Sequence, residues 1–525
     1  MTVRPTVREA VVELLRAHGC TTIFGNPGST ELPLYRDFPD DFRYVLGLQE
    51  SIALAMADGF AQATHNAAVV NLHSAAGVGH AMGTIFNAHR NQTPLIVISG
   101  QQARSMLTGQ PYLYSDEPAE LPKPYVKWSR EPARAEDVPA AIARAYYVAM
   151  TPPRGPVLVS VPVDDWDQPA DLVEPRVPGS VLRGDPSALA SVAQALGIAR
   201  NPAFVVGAGV DRDMAFGDVV ALAESQKAAV WAAPMSYRCG FPETHPLFAG
   251  FLPPVRDKLA ETLAEHDVVV VLGAPAFTYH VESPGPVLAP GTRLFQLVDD
   301  PAQASWAPTG TSVITSVRQG ARDLLALTPA ADRSVPARRV LPPRIVASPD
   351  GPITPELLVQ TIADLRPRDS VIVEEAPSTR PVMFERLLMD QPESFYTTPS
   401  GTLGYSMPAA AGIALARADR QVIAVIGDGA CMYSVQSLWS MAQLGLTHLT
   451  VVIVNNSSYA TVDNFARRFD IGKPVGTSLP AIDFVSLARG HGVSASRVSR
   501  PEELASSLRA AFAGDGPHLV EVQVY

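Results

Sequence analysis

Short, mostly apolar segments alternate with helical segments along this chain of 525 residues. Three of these segments are AAVVNLH at 67–73, DVVVVLGAP at 267–275 and QVIAVIGD at 421–428. Short apolar strands separated by helices are typical of parallel sheets that are covered by helices on both faces. The alternation therefore predicts an α/β fold made of doubly wound domains with parallel sheets.

Two proline-rich segments divide the alternation into three series. They span residues 161–181 and 328–352 and have no helical or strand periodicity, as expected of linkers. A chain of this length also exceeds what one hydrophobic core usually organises. We therefore predict three α/β domains, over residues 1–180, 181–340 and 341–525.

Composition excludes several classes of function. The chain has 41 Lys and Arg against 52 Asp and Glu, a formal net charge of −11, so neither nucleic acid nor an anionic membrane is an expected partner. Cys20, Cys239 and Cys431 lie far apart without a CxxC motif, which argues against disulfides and zinc. The start of the chain lacks a signal-peptide core, and no segment reaches the ~18 apolar residues of a membrane span. We expect a soluble, cytoplasmic protein.

The segment NLHSAAG at 71–77 places His73 between an apolar strand and a glycine-containing turn. From these residues alone, three interpretations are open. His73 is a histidine of the hydrophobic core, or an incidental neighbour of a phosphate-binding turn, or an acid–base group that faces a cleft.

The clearest chemical signal lies in the third series. One apolar strand ends in Gly427-Asp428-Gly429, and the next, about 25 residues on, ends in Asn455-Asn456. Each half alone is a common turn sequence. In a parallel sheet, however, the carboxyl ends of neighbouring strands lie together, where such folds bind ligands. Acid and amide oxygens beside glycines suit Mg²⁺ or Ca²⁺ bound together with a diphosphate.

The same GDG and NN pair is the signature of thiamine-diphosphate enzymes. The chain resembles this class over nearly its whole length, and most closely the benzoylformate decarboxylase family of 2-oxo-acid decarboxylases. The resemblance is carried by FGNPGSTELP, LQESIALAMADGFAQ, NLHSAAG, YVKWS, GAPAFTYH and SGTLGYSMPAAAG.

The resemblance implies the architecture and the activity. The first domain would bind the cofactor's pyrimidine, the middle domain would be a degenerate nucleotide-binding fold, and the third would bind the diphosphate and Mg²⁺ or Ca²⁺. The reaction would be non-oxidative decarboxylation of an aryl 2-oxo acid, such as benzoylformate to benzaldehyde and CO₂, with carboligation as a side activity. Since the family's cofactor lies between the first domain of one subunit and the third of another, a homo-oligomer is implied, a dimer of dimers.

Four catalytic residues carry over by motif. Glu50 matches the glutamate that contacts the pyrimidine, although by itself it is also an ordinary acid at a helix N-terminus. His73 and His280 match the two active-site histidines, and Ser29 matches the serine that binds the substrate carboxylate. A loop histidine such as His280 is otherwise usually only solvated. No role is assigned to His80 or His89.

Further site residues follow from the same resemblance. The implied metal ligands are Asp428, Asn456 and the backbone carbonyl of Ser458, with Asn455 as the alternative amide. The implied cofactor-binding residues are Asn26, Pro27, Gly28, Glu50, Ser378, Gly401, Leu403, Asp428, Gly429, Ala430, Asn456 and Tyr459.

The implied substrate pocket departs from the family pattern. It contains Ser29, His73, His280, Thr397, Thr461, Val462 and Phe465. Thr397 replaces a phenylalanine of the family and Pro377 a threonine, which leaves the ring substituent of the substrate open.

Two other functions remain as alternatives. One is another thiamine-diphosphate enzyme, resembling acetolactate synthase or benzaldehyde lyase. The other is a nucleotide-dependent oxidoreductase, suggested by VVGAGVDRD at 205–213 and by Gly77 and Gly79. The first motif lacks the third glycine of a dinucleotide site, and the second lacks the acid after the next strand.

Overall fold

The computed structural model describes residues 4–348 and 351–525, so positions 349–350 of the second proline-rich segment lie outside it. Three sheets of six strands follow one another along the chain. Every strand pair within them is parallel, and helices cover the sheets. The predicted α/β fold with three parallel sheets is confirmed. The sheets fall within the three predicted ranges, whereas the domain boundaries themselves stay predictions.

The first sheet has the strand order β2-β1-β3-β4-β6-β5. Its elements are α1 Val7–Ala17, β1 Thr22–Gly25, β2 Arg43–Leu46, α2 Glu50–Thr64, β3 Ala68–Leu72, α3 Ser74–Asn91, β4 Leu95–Gln101, β5 Ser129–Arg130, α4 Val138–Met150 and β6 Val157–Pro162. The central strands β3, β4 and β6 are buried along their whole length, which explains why their sequences are mostly apolar.

The second sheet has the order β12-β11-β10-β7-β8-β9. Its elements are α5 Pro186–Ile198, β7 Pro202–Val206, α6 Ala208–Arg212, α7 Phe216–Gln226, β8 Ala229–Ala232, β9 Phe248–Phe251, α8 Arg256–Thr262, β10 Val268–Leu272, β11 Arg293–Val298, α9 Pro301–Ser305, β12 Thr311–Ile314 and α10 Val317–Leu327.

The third sheet has the order β14-β13-β15-β16-β18-β17. Its elements are α11 Pro355–Leu365, β13 Val371–Glu375, α12 Arg380–Arg386, β14 Phe395–Thr397, α13 Ser406–Ala416, β15 Val422–Gly427, α14 Asp428–Met432, α15 Ser437–Leu444, β16 Leu449–Asn455, α16 Ala460–Arg468, α17 Phe484–Gly490, β17 Ser494–Val498, α18 Pro501–Phe512 and β18 His518–Gln523.

Six strands escaped the sequence interpretation. One is the buried β6, whose last two residues fall in the predicted linker 161–181, and the other five are β5, β9, β12, β14 and β17. These five lie at sheet edges. They are two to five residues long, and most are only partly buried, so they lack the continuous apolar run that marks a central strand.

The first and third domains are joined by the close crossing of α2 and α13. A Cβ on Gly59 would come within 2.1 Å of the Ala409 carbonyl oxygen, and one on Gly412 within 1.9 Å of the Met56 carbonyl oxygen. The two backbones can approach this closely only because both positions are glycine. This crossing fixes Glu50, at the start of α2, relative to the segment that leads into α13.

A buried polar cluster adds to the same junction. Asp58 on α2 is fully buried and accepts hydrogen bonds from Gln62, Asn91 and Thr93. Gln62 and Asn91 also donate to the hydroxyl of Tyr405, which precedes α13. Burial raises the pKa of Asp58, and these donors oppose the shift. The junction is therefore held by satisfied polar contacts as well as by apolar packing.

Two expectations drawn from composition can be compared with the structure. Cys20, Cys239 and Cys431 are buried free thiols, in agreement with the prediction that they form no disulfide. Across residues 4–348 and 351–525, no helix combines the length and the apolar character needed to cross a membrane.

Candidate active site

His73 lies at the carboxyl end of β3 and is the N-cap residue of α3. Ser74, directly after it, has a φ of 47°, in the left-handed region that residues other than glycine rarely adopt. Such strain is often found at functional sites. The imidazole is 21% exposed, so His73 is not a residue of the hydrophobic core.

A buried carboxylate holds the His73 ring. His73 Nδ1 lies 2.8 Å from Glu31 Oε2, and the Glu31 side chain is 1% exposed. The same oxygen accepts the backbone N–H of Gly28 at 2.8 Å, and Oε1 accepts the Thr30 hydroxyl at 2.5 Å. Because Nδ1 donates its proton to this carboxylate, Glu31 fixes the tautomer of the neutral ring and holds the ring in place.

Two glycines make room for this pair. A Cβ on Gly28 would lie 2.1 Å from His73 Nδ1, and a Cβ on Gly100, in β4, would lie 1.9 Å from Glu31 Oε1. Both distances are far below van der Waals contact, so neither position tolerates a side chain while the pair stays in place.

Asn26, Pro27 and Ser29 occupy the loop that follows β1, beside β3 in the sheet. Pro27 and Ser29 are exposed, and Asn26 is partly buried. Within the described part of the chain, the Ser29 hydroxyl forms no hydrogen bond. Ser29 and His73 therefore follow neighbouring strands of one sheet, and the Ser29 hydroxyl is free to bind a ligand.

Glu50 is the first residue of α2, and its side chain is 13% exposed. Its Oε2 lies 2.9 Å from Nδ1 of His80, a residue for which no role was predicted. Its Oε1 approaches α3 at Gly77, where a Cβ would lie 3.2 Å away. The carboxylate thus rests against the start of α3.

The GDG and NN motifs meet at one edge of the third sheet. β15 and β16 pair in parallel with Gly427 opposite Val454, so Asp428 and Asn455 follow neighbouring strands, as the spacing predicted. Asp428 Oδ1 accepts the backbone N–H of Gly429 at 2.7 Å, while Oδ2 is buried and has no hydrogen-bond partner among the described residues. Burial raises the pKa of Asp428, against the nearby backbone N–H groups of Gly429, Ser457, Ser458 and Asn456.

This edge fits a divalent cation beside a diphosphate. The unpartnered Asp428 oxygen lacks a positive partner, which a cation would supply. Gly429 faces the ring of Tyr459, and a Cβ there would lie 2.3 Å from that ring. A backbone without a side chain is what a phosphate needs for a close approach. Ala430 follows in α14 and is buried.

The two asparagines have different partners. Asn455 donates from Nδ2 to Glu521 Oε1 at 2.9 Å, and its Oδ1 accepts the N–H of Ser457 at 3.0 Å. Among the described residues, Asn456 bonds only to the neighbouring backbone, where its Oδ1 accepts the N–H of Ser458 at 3.0 Å. Asn455 is therefore tied to the sheet, and Asn456 is the freer amide.

The segment before α13 is held by Glu375. This buried carboxylate, at the end of β13, accepts the backbone N–H groups of Tyr405 at 3.0 Å and Ser406 at 2.6 Å, and also that of Gly404. Gly401 has a φ of 75° and is exposed, while Leu403 packs partly against the shared core of the first and third domains. Ser378, just beyond β13, is exposed.

His280 and Phe465 come together, with ring centroids 4.9 Å apart. Thr461 and Val462 begin the same helix as Phe465, α16, and the Val462 side chain is 51% exposed. Thr397 is elsewhere: it is 3% exposed, donates to Glu374 Oε2 at 2.8 Å and accepts from Arg380. Its hydroxyl is thus already satisfied inside the third domain.

The predicted site residues therefore form separate groups within one chain. The first contains Ser29, Glu50 and His73 in the first domain; the others lie at the third sheet's edge and at the His280–Phe465 contact. Within the residues described, no hydrogen bond or ring contact joins His73 or Glu50 to His280 or Phe465.

Known proteins share this arrangement. Sequence families described as the N-terminal TPP binding, central and C-terminal TPP binding domains of thiamine pyrophosphate enzymes match residues 5–117, 189–324 and 380–522. Benzoylformate decarboxylase from Pseudomonas aeruginosa is 42% identical over 522 residues, which cover 98% of each chain. The chain belongs to the benzoylformate decarboxylase family of thiamine pyrophosphate enzymes.

Solved structures agree with membership of this family. The chain resembles a thiamine diphosphate-dependent 4-hydroxybenzoylformate decarboxylase from Rhodococcus jostii RHA1 at 40% identity, and benzoylformate decarboxylase from Polynucleobacter necessarius at 37%. The TM-score is 0.96 in both cases, and each match covers 99% of both chains. The resemblance predicted from the motifs is confirmed, together with the cofactor class that the family uses.

Family membership also argues against the oxidoreductase alternative, and the structure gives the middle-domain glycines another role. A Cβ on Gly207 would lie 2.5 Å from that of Ala274, and one on Gly209 would lie 2.7 Å from the Gly273 Cα. These glycines let the loops after β7 and β10 cross in contact, which explains the VVGAGVDRD sequence by packing.

Two residues of the site were missed from sequence, Glu31 and His80. Glu31 lies two positions beyond Ser29 in NPGSTELP, a motif that was noticed for its serine. His80 lies on the helix that follows NLHSAAG. Neither carries a local signal of its own, since each acts on a residue 30 or more positions away.

Proposed function

We propose that this protein decarboxylates an aryl 2-oxo acid, benzoylformate or a ring-substituted analogue, to the aldehyde and CO₂, with thiamine diphosphate and a divalent cation. The observation that carries the proposal is the Glu31–His73 pair, which directs an oriented acid–base group to the loop that bears Ser29. The names of the relatives from Pseudomonas aeruginosa and Rhodococcus jostii support the aryl substrate.

The chain's own residues would bind and orient both ligands. Asp428, Asn456 and the Ser458 carbonyl hold the metal; Gly429, Ala430, Ser378 and Tyr459 surround the diphosphate; Gly401, Leu403, Asn26, Pro27 and Gly28 contact the pyrimidine end. Bound there, thiamine diphosphate supplies the carbon nucleophile and accepts the electrons left by CO₂.

The remaining residues would handle the substrate and its protons. Ser29 donates a hydrogen bond to the substrate carboxylate, and Glu50 shares a proton with the cofactor's ring. His73 and His280 move protons at the reacting carbon and at the aldehyde oxygen. Phe465, Val462 and Thr461 form the aryl wall, whereas Thr397 lies inside the third domain and is not part of it.

A complete site would need two subunits, because one chain holds its groups apart. Exposed apolar side chains next to these groups support such contact: Leu48 is 43% exposed, Met432 38% and Tyr433 59%. We propose a homodimer as the smallest active unit and a dimer of dimers in solution, located in the cytoplasm. Sedimentation analysis of the holoenzyme tests this, and an active monomer would contradict it.

The test of activity is CO₂ release by the holoenzyme from benzoylformate and 4-hydroxybenzoylformate, compared with pyruvate and phenylpyruvate. We expect the highest kcat/KM for benzoylformate and 4-hydroxybenzoylformate, in which the keto carbon is attached directly to the aromatic ring. Faster turnover of pyruvate, with acetolactate as product, would instead favour the carboligase alternative. No CO₂ from any of the four acids would overturn the proposal.

Substitution of His73 separates catalysis from binding. His73→Ala is expected to lower kcat by about 10²–10⁴-fold, the usual contribution of a positioned acid–base group, while the cofactor still binds. His245→Ala is the matched control, because His245 pairs with Glu224 in the middle domain, away from this site. A His73→Ala protein that loses the cofactor would show that the residue is structural.

A further inference from the structure

The contact between Glu50 and His80 is not used by the proposed function. Glu50 Oε2 lies 2.9 Å from His80 Nδ1, which is ordinary hydrogen-bond geometry, and this ring nitrogen makes no other hydrogen bond among the described residues. The Glu50 side chain is 13% exposed and that of His80 60%. The histidine thus connects a nearly buried carboxylate to solvent.

The helix geometry makes this contact specific. Gly77 and His80 are three residues apart on α3 and so lie on one face of the helix. At Gly77 a Cβ would lie 3.2 Å from Glu50 Oε1 and 3.3 Å from its Cγ, so the carboxylate lies directly against the helix. His80 then meets the other carboxylate oxygen, Oε2. Glu50 Oε2 thus accepts a hydrogen bond from His80 Nδ1, whereas Oε1 has no hydrogen-bond partner in the described part of the chain.

Among the described residues, no other charged side chain bonds to Glu50 or His80. The strands and the α13 helix that pack against α2 and α3 contribute no titratable side chain to it, judging from their sequences. The other titratable groups on or beside α2 and α3 have separate environments: Asp58 bonds to Gln62, Asn91 and Thr93, His73 bonds to Glu31, and His89 and Arg90 lie at the far end of α3.

From this geometry we infer that His80 is a positioning residue that holds Glu50 through Oε2 and exchanges a proton with it. This inference rests on the proposed role of Glu50 in sharing a proton with the cofactor. Passage of the proton breaks the Nδ1–H bond and forms the Oε2–H bond, which leaves a neutral imidazole that keeps its Nε2 proton; the reverse step restores the imidazolium.

The first test needs neither cofactor nor substrate. Histidine ¹³C NMR of the cofactor-free protein reports the titration midpoint of His80, whose signal is assigned by its loss in His80→Asn. Since a neighbouring carboxylate favours the imidazolium, the midpoint is expected to fall in Glu50→Gln. The His245 midpoint should not move. An unchanged His80 midpoint in Glu50→Gln would overturn the inference.

The second test is kinetic and separates holding from proton exchange. His80→Ala removes the donor and is expected to lower kcat about tenfold with little change in KM for the 2-oxo acid. His80→Asn places an amide where Nδ1 was, so it should recover most of the plateau kcat but lose one limb of the kcat–pH profile. Identical profiles for wild type and His80→Asn would contradict proton exchange.

The two proposals can fail separately. If wild type releases no CO₂ from any aryl 2-oxo acid but the His80 midpoint still depends on Glu50, the proposed function fails and the pairing stands. If wild type is active and neither His80 variant differs from it, the pairing has no role in the reaction. If His80→Ala fails to fold, His80→Asn still tests the inference, because its side-chain amide can donate to Glu50 in place of the imidazole.

Discussion

Glu31 binds His73 and the backbone of Gly28 through one carboxylate oxygen, at 2.8 Å in each case. This relationship couples the strand end that carries His73 to the loop that carries Ser29. Because Glu31 is almost completely buried, its carboxylate is not screened by solvent, and the two hydrogen bonds are charge-assisted. The relative position of the predicted acid–base group and the predicted substrate-binding serine thus depends on a third residue.

Removal of this charge should reduce turnover. Glu31→Gln removes the charge and turns one of the two acceptor oxygens into an NH₂ donor. Either the Thr30 hydroxyl, or His73 together with the Gly28 N–H, then loses its acceptor. We expect kcat to fall by roughly 10–100-fold, a part of the full acid–base contribution, with cofactor affinity nearly unchanged. Steady-state kinetics and calorimetric titration of the cofactor measure the two effects. Glu136→Gln, at an exposed carboxylate of the first domain, is the control. Equal activity of both variants would show that Glu31 does not support His73.

A side chain that displaces the His73 ring should also reduce turnover. In Gly28→Ala the new methyl would meet the imidazole at 2.1 Å, so the ring must move. We expect a large loss of kcat and a loss of stability of about 1–3 kcal/mol, typical of overpacking. Gly197→Ala provides the matched control, since no atom lies within 4 Å of that position and α5 is helical there. A Gly28→Ala enzyme with normal kcat would mean that the position of the ring is unimportant.

The two asparagines of the NN pair should differ in their effect on the metal. Asn456→Ala removes the freer amide and should raise the Mg²⁺ concentration needed for half-maximal activity by about 10-fold or more, as one ligand is lost. Asn455→Ala breaks the bond to Glu521 and should affect thermal stability more than metal affinity. Metal titrations of EDTA-treated, reconstituted enzyme distinguish them. A larger metal effect from Asn455→Ala would reverse the assignment.

Glu375 should make stability depend on pH. Burial raises the pKa of Glu375 to about 7 from the ordinary value of 4.5, although three backbone N–H groups oppose the shift. The folded protein therefore keeps this proton at pH values where the unfolded chain has released it. Stability from this group is present below about pH 4.5 and is lost as the pH rises through about 7, by an amount on the order of 3 kcal/mol.

Comparison with Glu375→Gln isolates this effect, because glutamine does not titrate. The melting temperature of wild type should fall relative to that of the variant as the pH rises from about 5 to about 8. The same difference at both pH values would mean that Glu375 has an ordinary pKa. Differential scanning calorimetry of the cofactor-free protein provides the measurement without interference from ligand binding.

Much of the architecture could be predicted from local patterns. The central strands are buried on both faces, so each appears as an apolar run, and the helices between them follow. The GDG and NN motifs lie at the ends of two such strands, and the parallel pairing of β15 with β16 brings them together as predicted. The edge strands such as β5 and β17 were missed, because a short, half-exposed strand has no such pattern.

The sequence by itself determined the three α/β units, the family and the residue types of the site, because these depend on local periodicity and on short motifs. Only the tertiary structure decided which side chains act on one another. Glu31 reaches His73 across 42 positions and His80 reaches Glu50 across 30, since strand ends and helix starts distant in sequence meet at one edge of a sheet. Neither contact has a sequence period, and both depend on glycines, Gly28 and Gly77, whose missing side chains leave the space.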